Sequence, residues 1–109
     1  MYKPSKHVAT FFVAGFQHHD GCLALGKLKP GKKLKMVPEP DNPFDPDAIE
    51  LRYKGAKLGY VPRDHNKDLA LLAFYGHEGV YEARVMQVDP EADPWQQVRV
   101  GLYVTDNRP

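Results

Sequence analysis

The residue types best suited to recognising a ligand in this 109-residue chain stand together at Asn42-Pro-Phe-Asp45. Phe44 lies between Pro43 and Pro46, on a backbone with few conformations open to it. A ring fixed in that way and turned outward is a platform on which a nucleic-acid base can stack at little entropic cost. Asn42 and Asp45 flank the ring, and side chains of both types form local turns as readily as they meet ligands. Two readings stand side by side here: an outward stacking platform, or an aromatic that closes one end of a small barrel.

Other groupings carry weaker chemistry. Lys27 to Lys35 holds five lysines in nine residues, which serves either as a phosphate-tracking surface or as a solvated face. Gly21-Cys-Leu-Ala-Leu-Gly26-Lys27 has the outline of a phosphate-binding loop, but Leu28 stands where a Ser or Thr must hold magnesium. Its intervening residues read as a strand, and the chain is too short for the αβ sheet on which such a loop works, so nucleotide hydrolysis is set aside. His18, His19 and Asp20 offer imidazole and carboxylate, yet neighbours on an extended strand point to opposite faces, which argues against one shared metal. Asp41, Asp45 and Asp47 miss the calcium-loop pattern because Pro43 takes the third ligand position. With a single cysteine, Cys22, there is no intrachain disulfide, no CxxC redox pair and no cysteine-rich zinc site. No cofactor is expected, and no spacing of carboxylates and histidines compels a catalytic centre.

The elements that position these residues follow from composition and periodicity. Hydrophobic residues at 42% and charged ones at 27% fit a single folded domain, expected over residues 8–104 between short tails at 1–7 and 105–109. Fifteen Lys and Arg against 14 Asp and Glu leave a net charge of +1, so any affinity for nucleic acid must come from a local patch. No apolar run approaches the ~20 residues of a membrane helix, and the N-terminus shows no signal-peptide pattern, so no membrane association and a cytoplasmic location are expected. Val8 to Phe16 is apolar on both faces and reads as a central strand. Cys22 to Leu28 and Leu34 to Val37 read as two short strands. Four prolines between Pro38 and Pro46 then impose a rigid loop or linker. Ala48 to Tyr53 and Ala56 to Val61 alternate as a hairpin around Lys54 and Gly55. Asp64 is the expected N-cap of a helix carrying Leu69, Leu72 and Ala73 and ended by Gly76. Val80 to Val88 and Gln96 to Val104 complete about seven strands, joined by an acidic loop from Asp89 to Pro94. The fold class that results is mainly β with one or two helices (α+β): a small, partly open, OB-like or SH3-like antiparallel β-barrel.

Three segments in order make the pattern specific: Val13-Ala-Gly-Phe-Gln-His-His-Asp-Gly21, then Pro38-Glu-Pro-Asp-Asn-Pro-Phe-Asp-Pro-Asp-Ala-Ile49, then Leu58-Gly-Tyr-Val-Pro-Arg63 before a leucine-rich helix. Together they resemble the HIRAN domain family over residues 8 to 104, most specifically in the Glu-Pro-x-Asn-Pro-Phe-Asp core. Members of that family occur on fork-remodelling helicase-like enzymes and as stand-alone bacterial proteins. The resemblance implies an OB-like barrel that binds single-stranded DNA at a free 3′-hydroxyl end. It implies that Phe44 stacks on the terminal base, Asp45 accepts a hydrogen bond from the 3′-hydroxyl, and Asn42 orients the loop or nucleotide. Tyr60 falls where the family places a polar ring near that nucleotide, and Arg63 where it places a phosphate contact. Gln17 and His18 replace an Arg-Tyr pair of the DNA-binding pattern, so a cation and a stacking ring give way to weaker partners.

The leading reading is a non-enzymatic module for DNA repair or replication, binding the 3′ end of single-stranded DNA, with a helicase or nuclease partner. A protein- or peptide-binding barrel using the same proline-rich loop is the alternative, and a nucleic-acid-processing enzyme the third. Oligomeric state is not legible.

Overall fold

The computed structural model describes residues 4–19 and 24–109. Six strands form: β1 (Ser5–Phe12), β2 (Lys33–Pro38), β3 (Ile49–Tyr53), β4 (Ala56–Tyr60), β5 (Tyr81–Val88) and β6 (Val98–Thr105). All pair antiparallel in one sheet of order β1-β6-β5-β2-β3-β4. The helix α1 (Arg63–Phe74) follows β4 and places Leu69 against the core. Alternation puts Val98, Val100 and Leu102 of β6 inside together with Ala83 and Val85 of β5 and Leu51 and Leu58 of the hairpin. Register shifts in the β1–β6, β3–β4 and β5–β6 pairs are the irregularities that let such a sheet curl.

The two edges meet without a ladder. Ala14, just beyond β1, and Tyr60, the last residue of β4, exchange both backbone hydrogen bonds at 2.8 Å. That single bridge makes the fold the partly open, OB-like arrangement expected from the strand pattern. Gly59 permits it: a Cβ there would overlap the Ala14 carbonyl and come within 2.7 Å of Val13 Cγ1, at a φ of 150°. Gly59→Ala is therefore expected to destabilise the fold by about 1–3 kcal/mol, as overpacking against backbone does. A urea midpoint unchanged from wild type would show that the bridge is not a fixed part of the native state.

Several expectations need correction. β1 is an edge strand, not a central one, and Val8 is 47% exposed. Phe11 and Val13 turn inward, while the outward Phe12 is covered by the Arg99 guanidinium, 5.1 Å from its ring; an apolar residue on each face was satisfied by a cation rather than by a second sheet. The strand also stops at Phe12, because Gly15 at φ 70° turns the chain into a 3-10 turn over Phe16–His18. Residues 24–28 are not a strand: Leu25–Lys27 form another 3-10 turn, and the buried pair Ala24 and Leu28 stands four apart, which is helical spacing. Cys22 lies outside the described residues. Six strands result among the described residues, against about seven expected. Finally, α1 starts at Arg63 after Pro62, whose carbonyl accepts the His65 N–H at 2.9 Å, so Asp64 sits in the first turn rather than at the N-cap. The hairpin agrees with expectation, and positive φ at both Lys54 (47°) and Gly55 (86°) gives the turn that a two-residue connection favours.

Candidate nucleic-acid interface

The proline-rich segment between β2 and β3 is an ordered loop, held from within. The Glu39 N–H donates to the Ala48 carbonyl at 2.8 Å and closes its base. Asn42 braces the tip: its Oδ1 accepts the backbone N–H groups of Phe44 (2.9 Å) and Asp45 (3.1 Å), and its amide donates to Glu39 Oε1 at 3.0 Å. Asp45 ties the loop to the helix, since Oδ1 accepts the Asp47 N–H at 2.9 Å and Oδ2 accepts the Asn66 amide at 2.9 Å. Arg63 adds a donated bond to the Phe44 carbonyl at 3.3 Å and an ion pair with Asp45 Oδ2 at 3.5 Å. With the backbone fixed on all sides, the Phe44 ring projects away from it and is 85% exposed. It does not close an end of the barrel.

A cleft of about 270 Å³ opens beside it, lined by Asn42, Phe44, Asp45, Tyr60 and Arg63 over a floor of Ala14, Ala48 and Val61. Five of the seven residues singled out in the sequence thus converge from the loop, the end of β4 and the start of α1. His18 is exposed on its 3-10 turn and does not line this cleft. The Gln17 side chain lies outside the described residues. The neighbouring His19, which sequence reasoning did not choose, places its ring edge-on to Tyr60 at 5.6 Å.

Behind Tyr60 lies a charged network. The Tyr60 hydroxyl donates to Glu39 Oε1 at 3.0 Å and accepts from Lys57 Nζ at 2.8 Å, with that ammonium 4.6 Å from the ring centroid. Burial pushes the Glu39 carboxyl upward, but hydrogen bonds from Asn42, Glu50 and Tyr60, with Lys57 nearby, hold it below the usual range. Glu50, buried on β3 beside Arg52, goes the other way: burial first, and then the hydrogen bond to Glu39, raise it. The two neighbouring carboxyls are thus pushed in opposite directions, with Arg52 and Lys57 opposing the rise at Glu50. Asp45 is held below the ordinary carboxylate range by the Asp47 N–H first and then by the Asn66 amide, against desolvation, with the Arg63 charge adding a lesser pull in the same direction. At neutral pH it is therefore ionised, able to accept hydrogen bonds and unable to donate them. Glu39, Lys57 and Asn66 had no individual signal in the sequence; Asn66, in the first turn of α1, is buried.

An open antiparallel sheet with a braced aromatic loop at its mouth defines a small OB-like domain whose cleft is lined by an exposed aromatic ring, a carboxylate and a guanidinium. The HIRAN domain model matches residues 6–105, and the chain belongs to that family, one of DNA-binding rather than catalytic domains. Among solved structures, a Lactobacillus plantarum protein determined as a structural-genomics target is similar at 25% identity, covering 97% of this chain and 100% of its own, with a TM-score of 0.77. The HIRAN domain of human HLTF is similar in fold, at 17% identity over 93% of this chain and 77% of its own, with a TM-score of 0.63. No curated protein matches the chain.

Proposed function

We propose that the protein binds single-stranded DNA at a free 3′-hydroxyl end, as a non-enzymatic module of repair or replication that works beside a helicase or nuclease. The observation that carries the reading is the convergence of Asn42, Phe44, Asp45, Tyr60 and Arg63 on one cleft. Phe44 supplies a stacking face, the ionised Asp45 accepts from a terminal hydroxyl, and Arg63, 74% exposed in its side chain, meets a backbone phosphate at the start of α1. Stacking needs an unstacked base, so an unpaired end should bind more tightly than a blunt duplex, which must first be frayed. Equal affinity for the two would contradict the proposal.

Arg63→Ala is expected to weaken strands of every sequence alike and to flatten the salt dependence by about 0.7–1 log–log unit, because it removes a phosphate contact rather than a base contact. A loss confined to particular end sequences would contradict that role.

A protein- or peptide-binding barrel remains the second reading, favoured by one feature. A separate groove of about 430 Å³ runs between Pro38, Pro40 and Pro46 and the α1 side chains Leu71 and Phe74, sharing no lining residue with the cleft. DNA-end affinity that survives Leu71→Asp but is weakened by Phe44→Ala favours the first reading over the second.

A further inference from the structure

The cleft accommodates the end of a strand; the sheet beside it supplies a route for what precedes that end. Residue pairing sets Lys35 of β2 opposite Arg52 of β3, and Arg52 opposite Lys57 of β4. Three cations from three adjacent strands therefore stand in one row across the sheet. Leu34, Leu51 and Leu58, next in sequence to each of them, are buried, so the row lies on the outer face. At its β4 end the row touches the cleft, because Lys57 Nζ bonds the hydroxyl of Tyr60, whose ring lines it.

Resting on the DNA-end reading, we infer that the single strand leading into the cleft crosses the outer face of β4, β3 and β2, with its phosphates tracked by Lys57, Arg52 and Lys35. Strand spacing gives the row a length of about 10 Å, enough for long side chains to serve more than one phosphate. The charge is suited to it. Glu39 and Glu50, which face the same row, are already countered by Lys57 and Arg52. Glu82 lies one strand further on, where Lys33 (3.0 Å) and Arg84 already hold it. Among the described residues no carboxylate is within ion-pair distance of Lys35, which leaves its ammonium available to a phosphate. The lysine run of residues 27–35 thus divides: Lys27 belongs to a 3-10 turn, and Lys35 to the row.

The test compares a dinucleotide with a strand of about ten nucleotides, both ending in a free 3′-hydroxyl, across a salt series. Lys35→Ala changes an exposed side chain and should leave the fold intact. It is expected to weaken the longer strand by about threefold or more and lower its log–log salt slope by about 0.7, with the dinucleotide unaffected. Longer strands that show the dinucleotide's slope in the wild type, or no change on Lys35→Ala, would overturn the route while leaving the cleft reading in place. An equal loss in Lys67→Ala, on exposed α1 surface, would reduce the effect to net charge and overturn it as well. Failure of wild type to bind either strand would overturn the cleft reading, and the route with it.

Discussion

Phe44→Ala is expected to weaken binding to a single-stranded 3′ end about ten- to a hundredfold, since stacking on one aromatic contributes ~1–3 kcal/mol per base. The loss should appear without any loss of stability. The ring is 85% exposed, and the hydrogen bonds that shape the loop run through backbone groups and through Asn42, Asp45 and Arg63, none of which the substitution removes. Because the platform is already fixed before a ligand arrives, little ordering cost is charged against the stacking gain. Phe44→Trp should restore or exceed wild-type affinity, as a larger ring offers more overlap. Titration of a labelled strand against the three proteins, with a thermal melt of each, makes the measurement; an Ala variant that binds as wild type would remove the platform from the account.

The second large effect concerns what the end carries. An ionised Asp45 accepts a hydrogen bond from a terminal hydroxyl, whereas a terminal phosphate sets like charges together in the cleft. Wild type should prefer the 3′-hydroxyl strand over its 3′-phosphorylated twin by about tenfold or more. Asp45→Asn should narrow that preference, chiefly by tolerating the phosphate, because an amide is neutral and can donate. Asp45 also accepts from Asn66 and Asp47, so its replacement can loosen the loop. The ratio of the two affinities within each variant is insensitive to a general loss of folded protein, and it is the quantity to compare. A ratio near unity in wild type would return Asp45 to a purely structural role, holding the loop to α1.

Much of this arrangement was legible in the residues, and the misses have physical causes. The hairpin of β3 and β4 was readable because alternation and Lys54-Gly55 agree on strand and turn at once. Residues 24–28 were misread because a short apolar run has no periodicity long enough to separate strand from helical turn. β1 was placed centrally because apolar side chains on two faces look alike whether the outer one meets a second sheet or, as Phe12 does, an arginine. In the site, Asn42, Phe44 and Asp45 were readable from turn chemistry and prolines, and the resemblance to the family added Tyr60 and Arg63. Glu39, Lys57, Asn66 and Glu50 were not, since each acquires its partner only through the approach of separate segments. The cationic row is of the same kind: Lys35, Arg52 and Lys57 are scattered in sequence and aligned by strand register.

End recognition is the central claim, and a strand without ends tests it most directly. A linear single strand with a free 3′-hydroxyl and a covalently circular strand of the same sequence offer the same bases and phosphates, and differ only in whether a terminal nucleotide can enter the cleft. In competition for the wild-type protein, the linear strand is expected to bind about tenfold tighter or better. Equal competition by the circle would contradict the account, leaving a protein that grips single strands along their length rather than at their end.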